Sequence, residues 1–231
     1  MNTVFSIGTC FKAALTRLGR YVPKQFIHNL NAALNYLEVG RWMHERGFKS
    51  FPRVRERESV YDMMAAMTGG KRVLYLELGV FEGEAMHYWS KLLTDPSSHL
   101  HGFDSFEGLP ENWNLSNVKG TFSTGGKAPA IPDQRIKFFK GWFDETLKSY
   151  TPPDFDQLII NCDADLYDST VCVLEKFKKN ILPGTIIYFD EFSDRNHELR
   201  AFSEFLDKTK LKFEVIASNR ELSRVAFRCI G

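Results

Sequence analysis

The stretch from residue 72 onward alternates short apolar runs with helical patterns, and this alternation constrains the fold more than any other feature. Five runs of strand length are separated by helical segments or loops, and they lie at 72–78, 99–103, 135–139, 157–161 and 185–189. Strands that alternate with helices form crossover units. We therefore predict a doubly wound α/β fold with a mainly parallel sheet.

Two further strand-like runs close the chain, at 212–217 and 223–230, and no helical pattern separates them. Strands joined this directly must pair as an antiparallel hairpin. The complete prediction is a seven-stranded, mainly parallel sheet with an antiparallel C-terminal strand at the end of the sheet.

The residues before the sheet predict helices. Apolar side chains share one helical face around Phe26, Leu30 and Leu34, and the pair Gly69-Gly70 would stop a later helix over 55–67. We divide the chain into an N-terminal helical extension, residues 1–56, and a domain over residues 57–231.

The N-terminal segment is basic. It carries Lys12, Arg17, Arg20 and Lys24, and no acidic residue precedes Glu38. A basic amphipathic segment can lie on a membrane surface, pack on its own domain or contact a second copy of the chain. We favour packing, or a homo-oligomer formed through these helices, over membrane association.

Bulk composition excludes some functional classes. Lys and Arg total 30 against 29 Asp and Glu, a net charge of +1. A nucleic-acid binder needs a concentrated basic surface, so we expect no nucleic-acid partner. The four cysteines have no CxxC spacing, which argues against a zinc site and favours the reducing cytoplasm. No apolar run reaches the roughly 18 residues of a membrane span.

Ligands of doubly wound sheets bind outside the carboxyl ends of the strands. The first such end reads "ELGVFEG", with Glu77, Gly79 and Gly83. This is not the GxGxxG spacing that admits a pyrophosphate, so it suits a ligand without phosphate at this turn. A plain turn that uses glycine for its backbone freedom is an equal alternative.

The next two strand ends carry Asp104 and Trp142. A carboxylate at the end of the second strand can accept hydrogen bonds from a ribose diol, or it can form an Asx turn. Trp142 or Phe143 could flank an adenine ring, although an aromatic residue at the start of a helix is more often part of the core.

Carboxylates gather at the ends of two later strands. Asp163 and Asp165 follow the run 157–161, and Asp190 and Glu191 follow 185–189. If these strands are neighbours, the four side chains meet at one edge, where Mg²⁺ would relieve their repulsion. Asp168 differs, because "DST" before an apolar run is typical of a helix N-cap.

Several motifs together resemble one family. The chain contains, in order, "ELGVFEGEA", "GFDSFEGLPENW", "GTFSTGGKAP", "FKGWFDETL", "CDADLYDST" and "LPGTIIYFDEF". They are similar to class I S-adenosylmethionine-dependent methyltransferases, and more narrowly to the macrocin O-methyltransferase family, over roughly residues 57–231. The resemblance implies a Rossmann-like methyltransferase fold and an O-methyltransferase of small molecules, such as sugar-containing natural products.

The resemblance also implies roles for individual residues. The implied cofactor-binding residues are Glu77, Gly79, Gly83, Glu84, Asp104, Ser105, Phe106, Trp142 and Asp163. Within this set, Glu77, Gly79 and Gly83 would hold the methionine part of S-adenosylmethionine. Asp104 would bind the ribose, and Trp142 would lie near the adenine.

The same family likeness implies that Asp163 acts as catalytic base and metal ligand. Asp190 and Glu191 would complete the Mg²⁺ site, with Asp165 as an alternative ligand. Metal-dependent members commonly have Asp-Asp or Asp-Asn where this chain has Asp190-Glu191. The longer Glu side chain changes the ligand geometry there.

Competing interpretations remain at this stage. A non-catalytic S-adenosylmethionine-binding regulator or scaffold is the main alternative, while an NAD-dependent oxidoreductase would need the missing GxGxxG. Other candidate bases are His87, His101 and His197, which we expect to be structural or exposed. The segment 107–132, rich in Gly, Pro and Ser, is either a lid over the acceptor or an ordered surface excursion.

Overall fold

A computed structural model of the protein describes residues 2–113 and 115–231, with side chains from residue 8 onward. The helices are α1 (Asn2–Gly19), α2 (Lys24–Glu45), α3 (Arg57–Ala66), α4 (Glu84–Leu92), α5 (Phe143–Ser149), α6 (Tyr167–Phe177) and α7 (Glu198–Thr209). The strands are β1 (Arg53–Val54), β2 (Val73–Leu78), β3 (His99–Asp104), β4 (Ile136–Lys140), β5 (Gln157–Cys162), β6 (Ile186–Phe189), β7 (Phe213–Asn219) and β8 (Val225–Cys229).

The strands form one mainly parallel sheet in the order β1-β7-β8-β6-β5-β2-β3-β4. All seven predicted strands are present, and β8 is antiparallel to both β6 and β7. The predicted fold class is therefore confirmed. The position of β8 differs from expectation, since it lies between β6 and β7 rather than at the end of the sheet.

An additional strand, β1, was missed by the sequence prediction. It pairs in parallel with β7 through Arg53 and Val54. Two residues are too few to show a period-2 pattern, so only the neighbouring strand reveals them.

Both faces of the sheet are buried, which explains why its central strands are continuous apolar runs. In β2, Leu74 and Leu76 pack in a cluster with residues of α2, α5, α6 and α7. Val73 and Tyr75 face the opposite cluster, which includes residues of α3 and α4. This double burial holds the carboxyl ends of β2 and β5 rigidly at one edge.

The N-terminal helices contribute unevenly to the core. The last two turns of α2 bury Val39, Trp42 and Met43, and the Trp42 indole N–H donates to Ser203 Oγ at 3.0 Å. The described side chains of α1 are all exposed. Packing of α1 on its own domain, one of the favoured expectations, is therefore not observed; the boundary at 56/57 and the homo-oligomer stay predictions.

No helix in the described part of the chain is long and apolar enough to cross a bilayer.

Candidate active site

A cavity of about 700 Å³ opens at the carboxyl edge of the sheet. Seven of the residues predicted for the site line it, and they are Gly79, Asp104, Ser105, Trp142, Asp163, Asp190 and Glu191. Glu77, Gly83, Glu84 and Phe106 lie outside the lining. Most of the residues that were predicted from their positions at strand ends therefore line one cavity.

Gly79 allows the ends of β2 and β5 to touch. A Cβ atom at this position would lie 1.9 Å from the carbonyl oxygen of Asp163, and the φ angle is +95°. The Asp163 backbone N–H donates to the Leu78 carbonyl at 2.9 Å. Glycine is required here by close backbone approach as well as by its conformation.

Gly83 serves a different purpose in the structure. It starts α4 with a φ of +81°, and a Cβ atom would lie 2.7 Å from Pro129 Cγ. The absence of a side chain lets the 129–131 segment pack on the start of the helix. Its predicted contact with the cofactor remains a prediction.

The Asp104 carboxylate organises the first turn. Oδ2 accepts hydrogen bonds from the Val80 and Phe81 N–H groups at 2.8 and 2.9 Å. Oδ1 accepts from the Phe106 N–H at 2.7 Å, which is the Asx turn considered from the sequence. Ribose binding by Asp104 stays a prediction; Oδ1 retains one acceptor site, whereas both acceptor sites of Oδ2 are occupied.

Glu77 is buried behind the turn. Its Oε2 accepts from the Tyr75 hydroxyl at 2.8 Å, and the same hydroxyl accepts from the Asn161 side-chain amide at 2.8 Å. Burial raises the pKa of Glu77 to about 8. Glu84, by contrast, is exposed, and its Oε2 forms an ion pair with Arg57 Nη2 at 3.5 Å.

The carboxylates after β5 and β6 converge as predicted. Cys162 and Phe189 are register partners, so Asp163 and Asp190 follow directly from paired positions on neighbouring strands. Asp190 Oδ1 accepts from the Tyr188 hydroxyl at 2.6 Å and from Arg224 Nε at 3.1 Å. One oxygen of Asp190 is thus already engaged.

Mutual repulsion and burial perturb these acids. Burial, followed by the charges of Asp190 and Asp165, raises the pKa of Asp163 well above its usual range. Burial likewise raises the pKa of Asp165 to about 7 and that of Glu191 to about 7. Asp165 also has a φ of +57°, and such backbone strain in a non-glycine residue is typical of functional sites.

Glu198 joins this cluster and was missed by sequence reasoning. It is fully buried at the start of α7, and its Oε2 accepts from the Glu191 N–H at 2.9 Å. Its Oε1 has no hydrogen-bond partner among the described residues. Burial, then the charge of Asp163, raises its pKa well above the usual range. An acid in the first turn of a helix is too common to have signalled this role.

Asp163, Asp190 and Glu191 are the candidate ligands for Mg²⁺. Carboxylate oxygens are the ligands that Mg²⁺ prefers, so the chemistry of Asp163, Asp190 and Glu191 suits it. Among residues 8–113 and 115–231, however, no three acidic, His or Cys side chains are arranged to hold an ion. The predicted metal site is therefore not observed as a formed site.

Asp168 does not cap α6, and that interpretation was wrong. The helix begins at Tyr167, Leu166 occupies the N-cap position, and Asp168 lies in the first turn. His197 Nδ1 accepts from the Tyr167 N–H at 3.1 Å and takes the capping role. A partner 30 residues away cannot be inferred from local pattern.

Neither His87 nor His101 lines the cavity. The Nδ1 atom of His101 lies 2.7 Å from the Tyr150 hydroxyl, and burial lowers the His101 pKa to about 4. His87 is exposed on α4.

Aromatic side chains form the outer part of the cavity. Trp142 is half-buried at the start of α5. Leu109, Trp113 and Phe122 of the 107–132 segment also line the space, and the Phe122 ring lies 5.7 Å from that of Phe81. Backbone hydrogen bonds such as Gly126 N–H to the Phe106 carbonyl at 2.8 Å order this segment. Closure as a lid remains a prediction.

The strand order and the cavity at the carboxyl edge define a Rossmann-like methyltransferase fold. Two solved structures agree. The O-methyltransferase NovP superposes with a TM-score of 0.58 at 17% identity, covering 75% of this chain and 80% of NovP. The calicheamicin methyltransferase CalS11 gives 0.57 at 20% identity, covering 74% and 76%.

Within that class, the chain resembles the macrocin O-methyltransferase (TylF) family, whose model matches residues 114–220. A tetracenomycin-C rhamnosyl 4'-O-methyltransferase of Streptomyces olivaceus is 27% identical over 51% of this chain. The mycinamicin III 3''-O-methyltransferase of Micromonospora griseorubida is 27% identical over 55%. The matches cover 52% and 46% of those proteins, so the chain spans about half the length of its curated relatives. The resemblance expected from the motifs is confirmed.

Proposed function

We propose that this protein is an S-adenosylmethionine-dependent O-methyltransferase that acts on a hydroxyl group of a small molecule. The observation that carries the proposal is that one cavity joins the Gly79 turn, Asp104 and Trp142 with the half-buried side chain of Asp163. One side of this space suits a nucleoside-like cofactor, and the other suits an acceptor hydroxyl beside a base.

In this arrangement, the Gly79 turn approaches the methionine part of the cofactor through its backbone. Asp104 receives the ribose hydroxyls, and Trp142 stacks beside the adenine. The apolar side chains of Leu109, Trp113 and Phe122 exclude water from the reacting atoms.

The transfer is an in-line displacement. The acceptor oxygen forms a bond to the methyl carbon as the bond from that carbon to sulfur breaks, and sulfur keeps the electron pair as a neutral thioether. Asp163, in its ionised form, takes the hydroxyl proton. Its raised pKa makes the ionised form a stronger base, and the cavity contributes by aligning the reactants.

The finer proposal is that Mg²⁺ assists and that the acceptor is a sugar of a natural product. Asp163, Asp190 and Glu191 would hold the ion, which would acidify a bound hydroxyl. Support comes from the oxygen donors and from the relatives' names, which describe sugar O-methylation in two antibiotic classes. We place the protein in the cytoplasm.

Calorimetry with S-adenosylmethionine, and NAD as comparison, tests the cofactor. Mass spectrometry with a trideuteromethyl donor, across glycosides, phenols and amines, tests the reaction. We expect micromolar binding of S-adenosylmethionine and a labelled ether on glycosides alone. Labelled amines would contradict O-methylation, whereas tight cofactor binding without any product would favour the regulator. Activity unchanged by EDTA would remove the Mg²⁺ proposal.

A further inference from the structure

The N-terminal helices carry an unusual concentration of exposed apolar surface. Ten of the sixteen large hydrophobic side chains that are exposed in the described part of the chain lie between residues 11 and 37. Phe11, Leu15 and Leu18 are 64%, 50% and 57% exposed on α1, and Leu37 of α2 is 71% exposed. An apolar patch of this kind marks an interaction surface.

The large apolar side chains of α1 share one helical face, and several of those of α2 do the same. Phe11, Leu15 and Leu18 follow a spacing of four and three residues, which aligns them along α1. Arg17 lies about 120° around the helix from Phe11. Phe26, Leu30 and Leu37 continue the same spacing on α2.

Charge identifies the surface that this face would meet. All 29 acidic residues lie at position 38 or later, while Lys12, Arg17, Arg20 and Lys24 precede them. The described side chains of α1 are exposed rather than packed on the domain. The segment therefore combines an apolar face with charged residues that are all basic.

A second copy of the chain matches this charge pattern poorly. A two-fold dimer of α1 against α1 could cover the apolar faces, but it would leave the basic residues without a negatively charged partner, because residues 8–37 contain no acidic residue. An anionic bilayer supplies the complementary negative charge and an apolar layer for the hydrophobic face.

We propose that residues 8–37, termed here the basic arm, bind the surface of a membrane containing anionic lipids and hold the catalytic domain beside it. The helices lie in the plane of the interface, with Phe11, Leu15 and Leu18 in the acyl boundary and Arg17 and Arg20 among the headgroups. This assignment replaces the preference for packing that the sequence alone suggested.

Flotation of the full-length chain with vesicles tests the proposal. One vesicle set contains phosphatidylcholine alone, and the other contains phosphatidylcholine with phosphatidylglycerol at a ratio of 7:3. We expect flotation with the anionic vesicles and at least about tenfold weaker binding to the neutral ones. Binding to the anionic vesicles should also fall when the salt concentration is raised, because counterions screen the attraction.

Two variants separate the apolar and charged contributions. The triple variant Phe11→Ser/Leu15→Ser/Leu18→Ser and the double variant Arg17→Glu/Arg20→Glu should each lose at least about tenfold in binding to anionic vesicles. The matched controls Leu182→Ser and Lys71→Glu/Lys91→Glu change exposed residues outside the arm and should bind as the wild type does. Circular dichroism confirms that each variant is folded.

Other outcomes overturn the proposal. No flotation with either vesicle set, or equal flotation with both, would contradict an anionic membrane as the occupant. If light scattering shows a dimer that the triple Ser variant dissociates, without vesicle binding, the apolar face belongs to a second copy of the chain.

Discussion

The carboxyl edge of the sheet and the basic arm both depart from the usual rule that apolar side chains are buried and charged side chains are exposed. The edge buries carboxylates, including Asp190 and Glu198, which water would ordinarily solvate. The arm exposes Phe11 and Leu37, which a core would ordinarily cover. Each departure has an energetic cost in the isolated chain, and a ligand or partner can offset it. The comparison teaches that function is best sought where burial and polarity disagree.

The largest expected effect tests whether Asp163 at the carboxyl edge acts as the proton acceptor. Asp163→Asn removes the proton acceptor but keeps the side-chain volume, so we expect transferase activity to fall by about a hundred- to ten-thousand-fold. Calorimetry should show cofactor affinity within about threefold of wild type. Asp207→Asn, at an exposed ion pair with Arg46, is the matched control and should keep its activity. Full activity in Asp163→Asn would show that the Asp163 carboxylate is not the proton acceptor.

The second effect contrasts Gly79 at the carboxyl edge with Gly40 in α2, just beyond the basic arm. Gly79→Ala should destabilise the protein by about 3 kcal/mol, because the new methyl group overlaps the Asp163 carbonyl. Gly40→Ala in α2 meets nothing within 4 Å and should stabilise it by about 0.5–1 kcal/mol. Urea denaturation measures both values. Equal responses would mean that the two strand ends separate easily.

The third effect concerns pH. Glu191 has a usual pKa of 4.5 and a folded pKa of about 7, because burial disfavours its charge. Between these values the folded protein holds a proton that the unfolded chain lacks, so stability falls as pH rises. We expect Glu191→Gln to flatten the fall between pH 4.5 and 7.5 by on the order of 2 kcal/mol in urea titrations. If the stability of the wild type rises over this pH window, the raised pKa of Glu191 in the folded protein is contradicted.

The smallest effect lies in the basic arm. Leu18→Ser removes an apolar side chain that the folded chain leaves exposed, so we expect the free energy of unfolding to change by less than about 0.5 kcal/mol. Phe202→Ala in the core should cost about 4 kcal/mol in the same assay. A large loss for Leu18→Ser in dilute protein would show that the arm does pack on the domain.

Sequence reasoning succeeded where the signal is local and periodic. The seven longer strands and the convergence of Gly79, Asp104 and Asp163 follow from apolar period and from the strand-end rule. It failed where tertiary contacts decide. His197 rather than Asp168 serves the first turn of α6, and the buried position of Glu198 depends on how α7 packs.

The contact between Gly79 and the Asp163 carbonyl makes the two strand ends a single mechanical unit. A ligand that shifts the turn at Gly79 must also shift the backbone that carries the acid. Occupancy of one half of the cavity is thereby linked to affinity in the other half, and thermodynamic reciprocity requires the link to act equally in both directions. Such coupling would act through backbone geometry rather than through a moving domain.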